Sequence, residues 1–176
     1  MKNNHYELWI LLVIVGMLIS AGIVAAEQEL GKWDGFRGIK WATNIKDVND
    51  MVLVDTSDDE NTTVYTRTTD KLSIGKAKLT AIAYQFYKDR FFSVTVLTEG
   101  STNFSRLKEA IFAYYGEGTQ NNQFIEEWTW ITGTFCLVLK YNEFSEDARF
   151  DMIYLPIYHE REQDNKDAAE DAEGDF

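Results

Sequence analysis

Alternation of apolar and polar positions predicts most of the β-strands of this chain. Six segments rich in β-branched and aromatic residues are separated by turn residues, as strands commonly are. They are TTVYTR (62–67), KLTAIAYQFY (78–87), FFSVTVL (91–97), FIEEWTWI (124–131), TFCLVLKY (134–141) and FDMIYLPI (150–157). A shorter segment, FRGIKW (36–41), predicts one more strand. Because the connections are short, we expect consecutive strands to pair antiparallel.

Helical spacing occurs in two other segments. Residues 101–118, STNFSRLKEAIFAYYGEG, place apolar side chains every three or four positions after possible Ser, Thr or Asn caps, and Gly116 can end the helix. The segment 43–51, TNIKDVNDM, predicts a shorter helix capped by Thr43 or Asn44. Helices of this kind must bury their apolar side against a sheet.

The order helix, strand, strand, strand therefore occurs twice, in 36–98 and in 101–158. The pattern Thr-Asn-x-x-x-apolar recurs at an offset of 59, and the strand pattern starting at Phe92 recurs from Phe150 at an offset of 58. Such matches favour a duplication, although generic patterning also produces them. We predict an α+β fold in which two αβββ-like units form an antiparallel sheet, or two abutting sheets, with the helices packed on one face.

Four phrases of the chain resemble a known group of proteins. FRGIKWATNI, YTRTTDKLSIG, NFSRLKEAIFAYYGEG and YNEFSEDARF together are similar to small exported bacterial proteins with no assigned activity, in which glycine commonly occupies the position of Ala42. This resemblance spans most of residues 36–158, implies a periplasmic setting and supplies no catalytic residues. The predicted architecture also resembles the β-lactamase inhibitor protein fold and, for one half, small outer-membrane assembly lipoproteins. Those are binding proteins, but a shared fold does not transfer function.

The N-terminus has the pattern of an export signal. An apolar run from Leu8 to Ala26 ends in small side chains at Val24 and Ala26, so residues 1–26 are predicted to be a signal peptide. The run is 19 residues long, close to the roughly 20 that span a bilayer, so an uncleaved inner-membrane anchor is the alternative. In both cases residues 27–158 form a predicted single domain outside the cytoplasm, periplasmic or secreted.

The C-terminal segment 159–176 is strongly acidic. It has eight acidic and two basic residues, and the resulting net charge of −6 is half of the formal net charge of −12 of the whole chain. With one aromatic and no β-branched residue, it has too little apolar surface to offset its ordering entropy, so we predict a disordered acidic tail. Because carboxylates repel phosphates, the charge argues against nucleic acid and against anionic membrane surfaces as partners.

Trp128, Trp130 and Glu126 are the candidate ligand-binding residues. Alternation places them on one face of the strand 124–131, where the rings could form a platform for a sugar, peptide or lipid. The favoured interpretation instead places both rings in a helix-covered core. Glu127 points to the other face, so these adjacent carboxylates cannot act as an acid–base pair on one substrate.

Metal, cofactor and nucleophile chemistry finds little support in the sequence. Cys136 is the single cysteine and is predicted to be a small buried hydrophobe, with a disulfide-linked dimer as the alternative. The loop DTSDDEN (55–61) alternates oxygen donors but has Glu60 where a calcium-binding loop requires glycine. After residue 26 the only histidine is His159, so we predict no metal site, no catalytic triad and no cofactor.

The leading functional hypothesis is a non-enzymatic binding or assembly protein of the cell envelope. It would contact an envelope protein or a small amphiphilic ligand through an exposed sheet face or edge, because one helix layer cannot cover a sheet that is apolar on both faces. The alternatives are a carbohydrate- or peptide-acting hydrolase that pairs Glu126 with Glu143 or Asp151, and an inhibitor of an exported enzyme. The sequence leaves the ligand, the oligomeric state and the physiological process open.

Overall fold

The described part of the chain contains eleven strands, two α-helices and one short 3₁₀ helix. The structure is a computed structural model that describes residues 33–57 and 61–173, with only the backbone described for 172 and 173. The helices are α1 (Ser101–Tyr115) and α2 (Leu155–Glu173), and the 3₁₀ helix is Ile45–Asp47. The strands are β1 (Gly35–Phe36), β2 (Ile39–Lys40), β3 (Met51–Thr56), β4 (Thr62–Arg67), β5 (Ser73–Ile74), β6 (Ala77–Lys78), β7 (Ala81–Tyr87), β8 (Arg90–Glu99), β9 (Glu127–Ile131), β10 (Phe135–Tyr141) and β11 (Asp147–Tyr154).

Seven of these strands form one antiparallel sheet in the order β3-β4-β7-β8-β11-β10-β9. The predicted α+β class with an antiparallel sheet is therefore confirmed. The sequence missed the edge strand β3 and the short β5–β6 ladder. Where the second half has the 15-residue α1, the first half has a three-residue 3₁₀ helix. The duplication into two αβββ units stays a prediction.

One face of the sheet, here called the inner face, forms the core beneath α1. Alternation and register bring large apolar side chains of five strands together on this face. They include Trp128 and Trp130 of β9, Leu137 and Leu139 of β10, Phe150 and Met152 of β11, Val94 and Val96 of β8, and Ile82 and Tyr84 of β7, all of them buried. Helix α1 covers them with Phe104, Leu107 and Ile111, which lie on one side of the helix as its spacing predicts.

Helix α2 packs on the opposite face, here called the outer face, which carries Ser93, Thr95 and Asp151. Ile157 of α2 is buried in a cluster with Tyr87 and Phe92. The sequence predicted helices on one face only, whereas α1 and α2 pack on opposite faces; α2 is not one of the two helices that the sequence predicted.

The physical reason is a β-bulge in β8. The bulge lies where the pairing with β7 shifts, so Phe92 has no directly opposed partner. As a result, two consecutive phenylalanines point to opposite faces of the sheet. Phe91 contacts Tyr84 and Phe86 in the core, whereas Phe92 contacts α2.

Helix α2 also corrects the prediction of a disordered tail. The helix begins at Leu155 and continues through Glu173, so the described part of the segment 159–176 is helical. Its second residue is Pro156, a residue favoured in the first turn of a helix because its fixed φ suits that position. Residues 155–157, predicted to end a strand, belong instead to this first turn.

The acidic side chains of α2 pair with basic side chains on the sheet. The prediction of disorder considered only the apolar surface of the segment and did not include these ion pairs. Glu160 accepts a hydrogen bond from Arg90 at 2.7 Å, and this bond lowers the pKa of Glu160 below its ordinary value. Asp164 accepts hydrogen bonds from Lys88 at 2.5 Å and from Tyr87 at 2.6 Å, and both lower the pKa of Asp164. The first half of the helix is thus anchored by charge as well as by Ile157.

The predicted signal peptide or membrane anchor, residues 1–26, lies outside the described residues, as do residues 58–60 of the acidic loop. The described residues from Phe36 onward cluster as one compact unit. None of the helices in the described ranges combines the length and the apolar character required to cross a bilayer.

We expect Ala42→Gly to stabilise the protein. Ala42 has a φ of +64°, and its N–H donates to the carbonyl of Phe91 at 2.8 Å. This left-handed backbone costs a residue with a Cβ about 1–2 kcal/mol, whereas the extra chain entropy of glycine costs about 0.5–1 kcal/mol. The variant should raise the free energy of unfolding in urea by about 0.5–1 kcal/mol. The matched control is Ala113→Gly on the exposed side of α1, which should lower that free energy by about 1 kcal/mol; equal losses in both variants would contradict the argument.

Candidate functional site

The outer face of the sheet holds a cleft of about 420 Å³ beside α2. Strands β7, β8, β10 and β11 supply the floor, and α2 supplies one wall. The lining residues are Gln85, Phe92, Ser93, Val138, Lys140, Arg149, Asp151, Ile153, Tyr158 and Arg161. The floor is open because α1 lies on the inner face and α2 covers only one end of the outer face. The volume lies within the roughly 300–1,000 Å³ typical of small-molecule sites.

A buried carboxylate organises this floor. Asp151 is only 8% exposed and accepts a hydrogen bond from the Thr95 hydroxyl at 2.6 Å. The Arg149 Nε–H donates to both carboxylate oxygens, at 2.8 and 2.6 Å. The sequence dictates this geometry, because Arg149 and Asp151 are two residues apart on β11 and Thr95 is the direct partner of Asp151 on β8. A buried carboxylate is tolerated when it is paired in this way, so the floor is a fixed polar network.

Three cations line the cleft, against the single carboxylate of Asp151. Lys140 rises from β10 and pairs with Glu127 at 2.8 Å, while Arg161 of α2 lies 3.5 Å from Glu162. Arg149 and Lys140 are about half exposed, so their charges reach solvent. Asp151 accepts from the Nε–H of Arg149, and the Nη2 group of the same guanidinium donates to the Thr95 hydroxyl at 3.4 Å. The lining of the cleft therefore carries more cations than carboxylates, although each of the three cations has a carboxylate partner and two of those partners lie outside the lining.

An apolar surface adjoins these cations. Phe92, Val138, Ile153 and the ring of Tyr158 line the same cleft. Sites of this composition bind molecules that have an apolar body and one charged end, because burial of the body provides affinity and the polar groups fix orientation.

Cys136 lies next to this region and is less buried than predicted. It is directly paired with Ile153 in the register of β10 and β11, and its side chain is a partly exposed free thiol. Burial, followed by the negative charge of Asp151, raises the pKa of the Cys136 thiol. A thiol with a raised pKa is protonated at neutral pH, which does not favour a nucleophilic role.

Trp128 and Trp130 belong to the core rather than to an open surface. They are 4% and 8% exposed, and the Trp130 Nε1–H donates to the carbonyl of Gly116 at 3.1 Å. The Lys108 ammonium of α1 lies 3.6 Å from the centre of the Trp128 ring. The core interpretation of both indoles is thus confirmed, whereas Glu126 lines a surface groove.

The candidate carboxylates do not all come together. Glu126 pairs with Lys108 of α1 at 3.4 Å and Glu127 pairs with Lys140 of β10 at 2.8 Å, so the two adjacent carboxylates have different partners, although both line one groove. Glu126 and Glu143 line one groove at the end of β9–β11, while Asp151 lies in the cleft. The paired-carboxylate hydrolase stays a prediction. Across the described ranges, no group of three or more His, Cys, Asp or Glu residues could hold a metal ion.

Sequence reasoning missed the cleft because its residues come from four strands and a helix. The one available signal was polar residues at alternate positions of otherwise apolar strands, namely Ser93 and Thr95 in β8 and Arg149 and Asp151 in β11. Such residues mark a sheet face that is not covered by a hydrophobic layer.

Comparison of the chain with protein-family models, with curated proteins and with solved structures finds no match. The geometry of the chain alone therefore defines the class of protein. It is an α+β protein with an aromatic core on one face of its sheet and a cationic, partly apolar cleft on the other.

Proposed function

We propose that this protein is a non-enzymatic binding protein of the cell envelope, and that its cleft takes a small amphiphile with an anionic head group. The observation that carries the proposal is the cleft itself, in which cations surround one fully engaged carboxylate and an apolar surface adjoins them. The envelope setting follows from the predicted export signal in residues 1–26.

The head group would lie among Arg149, Lys140 and Arg161. Asp151 does not compete with an incoming anion, because its two oxygens already accept from Arg149 and Thr95. It holds the guanidinium in place instead. A planar guanidinium held in this way suits a carboxylate or a phosphate, since both accept paired N–H donors.

The apolar body would lie against Phe92, Val138, Ile153 and Tyr158. These side chains come from β8, β10, β11 and α2, so α2 must be docked for the surface to be complete. The ion pairs of Glu160 with Arg90 and of Asp164 with Lys88 therefore contribute to the shape of the site.

We expect octanoate and octyl phosphate to bind, and octanol and octylammonium to bind far more weakly, when each is titrated calorimetrically into the full chain. Arg161→Gln should weaken octanoate binding about 5- to 10-fold, because one charged donor at the rim is lost while the floor is untouched. Lys166→Gln is the matched control, since Lys166 lies on the same helix outside the cleft and pairs with Glu170; it should leave the affinity unchanged. Equal binding of octylammonium and octanoate would contradict the proposed function.

A further inference from the structure

Two phenylalanines are exposed at the end of the sheet where β9 begins and the β10–β11 hairpin turns. Phe144 is fully exposed and Phe124 is 86% exposed, with half-exposed Ile125 beside them. The two loops that carry them are joined by a hydrogen bond from the Tyr141 N–H to the carbonyl of Glu126 at 2.9 Å. All three apolar side chains line one groove of about 470 Å³. Clustered exposed aromatic side chains, unlike single ones, mark interaction surfaces.

The same local turn presents both rings. Asn122 Oδ1 accepts from the Phe124 N–H at 3.0 Å, and Asn142 Oδ1 accepts from the Phe144 N–H at 2.9 Å. Each is an Asn-x-Phe segment in which the asparagine side chain fixes the backbone two residues on. The loops are therefore ordered before any partner arrives, which lowers the entropy cost of binding.

The charge of the groove selects the kind of partner. Glu126 and Glu127 are neutralised by Lys108 and Lys140. Glu143 and Asp147 also line the groove and, within 33–57 and 61–173, have no cationic side chain within 4 Å. Lys140 and Arg149 also line the groove, but they pair with Glu127 and Asp151. Glu143 and Asp147 therefore give the surface a negative charge beside its exposed aromatic rings, which complements a basic segment and repels anionic lipid head groups and nucleic acid.

We propose that this surface, formed by Phe124, Ile125, Phe144, Glu143 and Asp147, docks a segment of a partner protein in which lysine or arginine alternates with apolar residues. The rings would cover the apolar side chains of the segment, and the two carboxylates would pair with its cations. Aromatic anchors of this kind carry most of the binding energy in protein interfaces. The groove shares Lys140 and Arg149 with the cleft, but its exposed aromatic residues do not line the cleft, so the two proposals depend on different apolar surfaces.

The test measures fluorescence anisotropy of a labelled ten-residue peptide of alternating lysine and leucine with the full chain. Two further peptides, alternating glutamate with leucine and lysine with serine, separate the charge requirement from the apolar requirement. We expect the lysine–leucine peptide to bind at least 10-fold more tightly than either. Phe124→Ser combined with Phe144→Ser should weaken it at least 10-fold, and Glu143→Gln combined with Asp147→Asn should weaken it about 3- to 10-fold and reduce its salt dependence.

Ile131→Ser is the matched control, because Ile131 is an exposed apolar residue of β9 outside the groove; it should leave peptide binding unchanged. The substituted side chains are exposed, so thermal unfolding of the variants should match that of the native chain, and octanoate binding should be preserved. Absence of binding up to about 1 mM lysine–leucine peptide would overturn the proposal. The proposal would also be overturned if the chain with both Phe124→Ser and Phe144→Ser still bound the peptide but had lost self-association or binding to anionic vesicles.

Discussion

Replacing Trp130 with alanine is expected to lower the free energy of unfolding by about 3–5 kcal/mol. The ring is buried between the edges of Phe112 and Phe150, at centroid distances of 5.9 and 6.5 Å. A Cβ on Gly118 would lie only 2.8 Å from ring atoms, so the backbone there is in close contact with the indole. Truncation therefore leaves a cavity that its surroundings cannot readily fill. Urea unfolding followed by far-ultraviolet circular dichroism measures the loss.

Trp130→Phe separates packing from ligand contact. It keeps most of the volume and loses the hydrogen bond to Gly116, so a smaller loss of about 1–2 kcal/mol is expected. Its octanoate affinity should equal that of the native chain, because Trp130 does not line the cleft. If Trp130→Phe retained its stability but lost octanoate binding, Trp130 would instead be a ligand-binding residue.

Above pH 10 the free energy of unfolding should fall by about 1.4 kcal/mol per pH unit for each of two tyrosines, Tyr84 and Tyr115. Burial raises the pKa of both phenols well above the ordinary value of about 10, and a 2.6 Å hydrogen bond from Tyr84 to Asp70 raises that of Tyr84 further. The unfolded chain loses these protons above pH 10 while the folded chain retains them. Folding thus becomes less favourable as the pH rises, and the contribution is fully present below pH 10.

Tyr84→Phe and Tyr115→Phe isolate these contributions from general alkaline unfolding. Each variant should flatten the dependence above pH 10 by about 1.4 kcal/mol per pH unit. At pH 7, Tyr84→Phe should also lower the free energy of unfolding by about 1–2 kcal/mol. The reason is that Asp70 loses the hydrogen bond from the Tyr84 hydroxyl, while its ion pair with Arg37 at 3.1 Å remains. Parallel curves for the native chain and both variants above pH 10 would refute the argument.

Much of the sheet could be predicted because its strands are patterned locally. The segment 62–67 is β4 as predicted, and the helix expected in 101–118 is α1, which ends before Gly116 at a φ of +82°. Asn44 caps the 3₁₀ helix by accepting from the Lys46 N–H. Alternation and helical spacing were sufficient to place these elements, but the Ser, Thr or Asn cap predicted for α1 is wrong, because the N-cap residue is Gly100 and no side chain caps the helix.

The errors share a different cause, namely partners that are distant in sequence. Helix α2 looks too polar to order, yet Arg90 and Lys88 hold it about 70 residues away along the chain. The cleft likewise depends on the pairing of Thr95 with Asp151, which follows from strand order and not from either segment alone. The edge strand β3 was missed because its apolar residues 52–54 are consecutive and exposed, so they show no alternation.

The bulge at Phe92 has a consequence for how this chain can change in evolution. The β8 residues before and after Phe92 point to their present faces of the sheet only because the bulge contains one extra residue. Deletion of that residue would move every side chain beyond it to the opposite face. Descendants of this sequence should therefore tolerate insertions and deletions in the hairpin turns at the rims but none within β8. The length of β8 is therefore constrained by its pairing with β7 and β11.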